Sequence, residues 1–528
     1  MEQVYQLATL DMVIIVIYFV AMLAFGVMLS KKSESTGDYF LAGRSMTWPL
    51  IGFSLFASNI SSTTLMGLAG DAYVTGISVF NYEWMAALVL VFFGMFMVPF
   101  ILRSQVYTMP EYLEKRYNAN CRMYFAILTL FINIIVETAA SLYAGGILIR
   151  AIFPETPLYV TITILALLAG GYTIIGGLSA VMITDVIQAV ILIIASIVLS
   201  IIAFDKAGGL DVVLSSVDPD KLSLIRPLDD PGVPWLGLIT GVPLLGFYFW
   251  CTNQFITQRV LSARDETQAR QGAILAGFLK LPVLFIMVLP GTAAILLYPD
   301  LENANLVYPT LIFDLLPVGL VGLVIAGFMA ALMSQIDSTL NSASTVVTMD
   351  FVRPRKPDLS NKELMKIGKI TTFVFMIFAI LWAPIIESFE SLFKYLQTIF
   401  SYAVSPIVCL FIVGAFWKRA NGTGAFASLM FGFVAGAIFF VINEILGWTD
   451  VHFLYVAPIL FVACTFVIIA VSLITEAPNE EDILPYTWTP AYYTDETERL
   501  KGVVWYRNYR VLSLLLIIAT GVILYYFW

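Results

Sequence analysis

Two charged side chains stand where a bilayer-spanning segment has no room for them. Glu83 lies in Asn81-Tyr82-Glu83-Trp84-Met85, early in an apolar segment over 78–102. Lys280 lies in Gly277-Phe278-Leu279-Lys280-Leu281-Pro282, midway along another over 268–298. A lone midplane charge costs about 2.5–3.5 kcal/mol on insertion scales, so such residues pair with each other or face a polar cavity. The two read either as a structural ion pair or as hydrogen-bonding anchors for a polar solute. A second cluster lies in 46–70, where Ser58 to Thr64, Ile60 apart, bring hydroxyl or amide groups to mid-membrane depth. Such residues either glue helices together or mark a solute or ion path through a broken helix. A third is the stripe Ser334, Ser338, Asn341, Thr345 and Thr348, at helical spacing on a segment over 310–348 that also holds Asp337. Oxygen ligands of this kind, facing carbonyls freed by a helix break, suit a hard monovalent cation. Asp185 and Glu137 are further carboxylates in apolar surroundings. Asp185 is expected at the start of its helix, where the positive dipole end would stabilise it.

The elements that must position these residues are membrane helices. The chain of 528 residues is 60% hydrophobic and 12% charged, against about 25% charge in a soluble domain. Hydropathy predicts an all-α polytopic membrane protein with about 14 spans. They fall near 11–30, 46–70, 78–102, 122–149, 156–176, 180–204, 234–258, 268–298, 310–348, 366–384, 391–417, 422–444, 451–475 and 508–527. The first run lacks a basic leader and a cleavage site, so a retained helix is expected there and not a signal peptide. Every second loop is basic: Lys31, Lys32 and Arg44; Arg103 to Arg122; Arg259, Arg264 and Arg270; Arg353 to Lys369; Lys418 and Arg419; Arg499 to Arg510. The positive-inside rule then places both termini outside. Gly241, Pro243 and Gly246 interrupt the seventh span, five helices after the break in the second. That spacing predicts a five-plus-five inverted repeat: 1–45 peripheral, 46–233 the first unit, 234–417 the second, and 418–528 three additional helices.

Several function classes are excluded. The net charge is −9 and no basic patch interleaved with aromatics exists, so a nucleic-acid partner is not expected. Cys121, Cys251, Cys409 and Cys464 are scattered without metal spacing, and His452 is the single histidine. With no Ser/His arrangement and no nucleotide loop, an enzyme is not expected.

Eight stretches stand out along the chain: Asp38-Tyr39-Phe40-Leu41-Ala42-Gly43-Arg44, Ser58-Asn59-Ile60-Ser61, Tyr82-Glu83-Trp84-Met85, Met109-Pro110-Glu111-Tyr112-Leu113-Glu114-Lys115-Arg116, Gly176-Gly177-Leu178-Ser179-Ala180-Val181, Thr184-Asp185-Val186-Ile187-Gln188, Leu340-Asn341-Ser342 and Phe416-Trp417-Lys418-Arg419. In these stretches, which run in family order, the chain resembles the sodium/solute symporter family, the family of the sodium/glucose cotransporters. The resemblance implies the leucine-transporter architecture and a sodium-coupled symporter of the cell membrane, importing a sugar or sugar-like polyol by alternating access. It implies solute contacts at Glu83, Lys280, Gln397, Asn59 and Trp250, with Tyr82, Thr64 and Phe249 around them. Galactose carriers of the family have Gln, Asn and Tyr where Thr64, Gly246 and Phe249 stand here. The implied sodium ligands are the carbonyls of Ala57, Ile60 and Ala331 with two side chains, here Ser334 and Gln335. Gln335 replaces a hydroxyl. Asp185 matches the acid used for a second sodium in some members. Glu137 stands where sugar carriers often have Asn, as a partner of the cation region or a proton site. The alternative solutes are a carboxylate, another small organic solute or an anion held by Lys280. A channel or a sensor is the rival from another class, and no obligatory protein partner is expected.

Overall fold

The computed structural model describes residues 6–30, 35–388 and 392–528, so Lys31 and Lys32 of the first basic loop lie outside the described residues. Among the described residues the chain is all helical, and extended pairing is limited to two isolated bridges, Met46 with Ala263 and Arg226 with Pro234. Among the described residues nine helices are long and apolar enough to cross a membrane. Two bent pairs bring the number to eleven: Glu266–Lys280 with Leu284–Leu297 at 41°, and Tyr395–Ala403 with Ser405–Phe416 at 51°.

The 46–70 segment is two half-helices, Trp48–Asn59 and Ser62–Thr75. Neither is long enough to span alone. Ile60 leaves the helical region at φ −83°, ψ 86°, and Ser61 restarts the chain by accepting the Thr64 amide on its hydroxyl. The second break lies later than Gly241–Gly246. Trp235–Phe247 runs helically through Pro243 into a wider π turn over Tyr248–Thr252, and Asn253 breaks the chain before Gln254–Leu261. Glycine and proline are tolerated inside packed membrane helices, whereas Asn253 can cap the new start by accepting from the Phe255 amide.

Proline explains other irregular turns. Pro99, Pro290 and Pro354 each follow a π turn, at Phe93–Met97, Leu284–Val288 and Val347–Val352. The wider turn gives room for the ring and leaves no amide wanting an acceptor. Gly177 breaks Leu158–Lys206 at φ +62°, and a β-carbon there would meet the Tyr39 carbonyl oxygen at 2.7 Å. Asp185 therefore sits two turns inside its helix and not at the N-terminus, so the dipole does not stabilise it as expected.

Leu320–Val346 is central: the span Leu320–Arg355 is 89% buried over its apolar window, against 28%, 28% and 22% for Gly422–Ile445, Phe453–Ile474 and Tyr509–Tyr526. The C-terminal helices therefore form the periphery. Leu320–Val346 packs along Leu158–Lys206, and Asp11 caps its start by accepting the Gly319 and Gly322 amides at 2.7 Å each. Gly291 lets Leu289–Leu297 approach the second half-helix so closely that a β-carbon would lie 2.2 Å from the Ala69 carbonyl oxygen. Gly291→Val is expected to cost about 1–3 kcal/mol through overpacking. It should lower the melting temperature of the detergent-purified protein, while Gly521→Ala, with nothing within 4 Å of its β-carbon, should not.

Candidate functional site

Glu83 and Lys280 meet. Lys280 Nζ donates to Glu83 Oε2 at 2.5 Å and to Asn59 Oδ1, and its side chain is fully buried. Three elements make this junction. Glu83 is in the first turn of Asn81–Phe92, Lys280 ends Glu266–Lys280 just before the bend at Pro282, and Asn59 ends the first half-helix. The ammonium also lies 5.5 Å from the Trp250 ring centroid and 5.8 Å from that of Phe56, so ring faces and an amide oxygen replace the water it gives up.

Asn59, Thr64, Tyr82, Glu83, Phe249, Trp250 and Gln397 line one cavity of about 90 Å³, with Lys280 behind Asn59 and Glu83. Every expected solute residue is thus at or directly behind one wall. Gly246, Phe400, Glu137 and Gln335 also line the cavity, among smaller and aliphatic residues. A larger cleft of about 830 Å³ lies beside the 231–233 and 301–305 segments, and Tyr82 lines both spaces. On the other side the half-helix Gln254–Leu261 is buried along its whole length.

The break in the second span frees carbonyls. In a continuous helix the amides of Ser61 and Thr64 would take the carbonyls of Ala57 and Ile60. Here Ser61 N donates to Asn59 O at 3.1 Å and Thr64 N to Ser61 Oγ at 3.1 Å. Ala331 and Ser334 lie on the buried Leu320–Val346 helix. Ser334 Oγ donates to Asp185 Oδ1 at 2.6 Å, which leaves its lone pairs for a ligand. Gln335 is one residue on and faces elsewhere: its Nε2 donates to Glu137 Oε2 at 2.7 Å, at the cavity that Glu83 and Trp250 line.

The sodium:solute symporter family profile matches residues 39–432. The chain belongs to this family. It is 37% identical to a sodium/glucose cotransporter 4 of Danio rerio, over 94% of this chain and 83% of that one. It is 36% identical to a sodium/myo-inositol cotransporter of Homo sapiens, over 91% of this chain and 76% of that one. In fold it is similar to a Na+-coupled sialic acid symporter solved in a substrate-bound outward-open state, with a TM-score of 0.80 and 24% identity over 90% of this chain and 99% of that one. As a family member it is a membrane transporter coupled to sodium and not an enzyme.

One group in this symporter escaped the sequence reading. Arg259, counted there as a loop cation, is fully buried. Its Nη2 donates to Asp185 Oδ2 at 2.9 Å and its Nε to Ser54 Oγ at 2.7 Å. It also donates to Ser338 Oγ and to the Phe255 carbonyl, while Ser54 Oγ donates to Asp185 Oδ2 at 2.5 Å. The signal was the recurrence of Gln254, Gln258 and Arg259 at helical spacing, which makes 254–261 a polar-faced half-helix and not a loop. Removing one partner of a buried pair strands the other. Arg259→Leu should therefore cost about 3–5 kcal/mol, read as a lowered melting temperature, and adding Asp185→Asn should recover most of the loss.

Proposed function

We propose that this protein is a sodium-coupled symporter that imports a neutral sugar or sugar-like polyol by alternating access. The observation that carries the reading is the Lys280–Glu83–Asn59 junction at a cavity walled by the aromatic faces of Phe249 and Trp250. A charged pair that is internally neutral offers strong donors and acceptors to hydroxyls without demanding a charge on the solute. It argues against a carboxylate or an inorganic anion, because the positive charge of Lys280 is already met by Glu83. The relatives named for glucose and myo-inositol agree with a polyhydroxylated solute.

In this reading sodium binds the carbonyls of Ala57, Ile60 and Ala331 with the Ser334 hydroxyl, and Gln335 belongs to the solute side. Asp185 already holds Arg259 as its counter-charge, which favours one sodium per cycle over two. Tyr82 separates the cavity from the larger cleft and lines both, while the half-helix that carries Arg259 is buried, which supports an outward-facing carrier. Fourteen spans, both termini outside and paired units over 46–233 and 234–417 remain the topology that best accommodates the two breaks and the alternating basic loops. One sodium crossing about 100 mV supplies about 2.3 kcal/mol, and a tenfold gradient adds about 1.4 kcal/mol. Together these support roughly 500-fold accumulation of a neutral solute.

The test is a solute-by-ion uptake matrix in proteoliposomes. Sodium-dependent uptake of a hexose or inositol is expected, and indifference to every sugar would reject the reading. Glu83→Ala and Lys280→Ala should each abolish solute binding. Ser334→Ala should raise the sodium concentration for half-maximal uptake, with unchanged sodium dependence moving the ion elsewhere.

A further inference from the structure

The cavity has a second polar pole that the Lys280 junction does not use. Glu137 sits on the π turn Ile132–Thr138, where the extra residue re-aims its side chain toward the cavity. The turn is pinned from both ends: Thr138 Oγ1 donates to Asn133 O at 2.6 Å, and Asn133 Nδ2 donates to Ser342 Oγ at 3.0 Å. Gln335 reaches it from the central helix, its Nε2 donating to Glu137 Oε2 at 2.7 Å. That bond fixes the amide, because the reversed orientation would set two oxygens against each other. The two remaining oxygens, Glu137 Oε1 and Gln335 Oε1, are buried and take no hydrogen bond among the described residues. Both residues are more than nine-tenths buried, at 6% and 1% exposure, and both line the cavity. Buried acceptors without donors are rare in native proteins and ask for an occupant.

The charge balance says which occupant. Glu83 is matched by Lys280 and Asp185 by Arg259, while among the described residues no ion pair reaches Glu137. The pole therefore presents two unoccupied oxygen acceptors, and a cationic donor of a solute would supply the counter-charge that Glu137 lacks.

We propose that Glu137 and Gln335 receive hydrogen-bond donors of the solute, hydroxyls or an ammonium, and that an amino sugar placing its ammonium here is taken in preference to its neutral counterpart. The proposal rests on the reading of the cavity as a sugar or polyol site. It makes Glu137 and Gln335 determinants of solute specificity, distinct from the sodium ligands. Ser334 and Gln335, adjacent in sequence, then serve different cargoes because successive residues on a helix point about 100° apart.

The experiment competes sodium-driven uptake of labelled glucose and myo-inositol in proteoliposomes with hexoses in which one hydroxyl at a time is replaced by hydrogen or by an amine. At one ring position, replacement by hydrogen should weaken competition about tenfold and replacement by an amine should strengthen it, since hydrogen bonds to a charged group are the stronger kind. Glu137→Gln preserves volume and the bond to Gln335 while removing the charge. It should erase the preference for the amine at that position and leave the ranking at the other positions intact. Gln335→Leu should weaken competition by the parent sugar and flatten the hydrogen-for-hydroxyl difference there. An unchanged ranking in both variants would overturn the proposal. So would a shift confined to the half-saturating sodium concentration, which would assign the pair to an ion. A wild-type carrier indifferent to every sugar would instead reject the broader reading of function, so the two failures are distinguishable.

Discussion

A bilayer core offers no water to an interrupted helix, so every amide released by a break must find a partner within the protein. At the first break this is done locally. Ile60 N returns to Phe56 O, Ser61 N turns to Asn59 O, and Thr64 N is taken by the Ser61 side chain. At the second, Asn253 N reaches Tyr248 O across a π turn, and the Asn253 side chain accepts the Phe255 amide. Donors are satisfied first because each has a single hydrogen to place. What is left over is oxygen. A break repaired this way is an electronegative opening in the middle of the protein, and the chemistry that fits it is a small cation. The residues that look like specialised ion ligands are to a large degree the residue of that repair.

The same poverty of water governs the buried charges. Lys280 meets Glu83, and Arg259 meets Asp185. In each case the anion comes earlier in the chain than the cation that meets it. One pair stands at the cavity walled by Phe249 and Trp250. The other stands at the packed half-helix Gln254–Leu261. Breaking a buried pair is far more costly than keeping it, so such pairs specify a conformation more than they add stability. In the proposed pairing of units, a carrier that rocks one against the other must keep both pairs closed or provide for their exchange; the hydroxyls of Ser54, Ser58 and Ser334 donate to Asp185 and that of Ser338 accepts from Arg259, so both charges have other partners at hand.

The sequence was most legible where the physical penalty was largest. Glu83 and Lys280 announced themselves because charge in an apolar segment is expensive, and the run from Ser58 to Thr64 because six polar groups cannot all be idle at that depth. The second break was misplaced by several residues. Glycine and Pro243 suggested it, yet neighbouring helices carry a proline within a helix, while the true break is written in Thr252-Asn253-Gln254, where polarity and capping capacity coincide. Arg259 was missed because a count of basic residues treats every arginine as loop, and only its spacing with Gln254 and Gln258 separates it. Asp185 was given to a helix dipole, whereas Gly177 is the hinge that starts its helix two turns earlier.

In the proposed assignment of ion and solute sites, the departure at Gln335 is a way for one scaffold to change its solute and keep its ion. Three of the four proposed sodium ligands are backbone carbonyls, and no side-chain substitution removes those. The fourth, Ser334, is held by Asp185, which is itself held by Arg259. The ion site is thereby buffered against mutation. The neighbouring position is not: a side chain long enough to leave the ion behind reaches Glu137 and remakes the wall of the solute cavity. Selectivity in such a carrier can drift at positions one step along the helix from its coupling site without cost to coupling. That is how similar sodium sites and different solutes can coexist on the same set of broken helices.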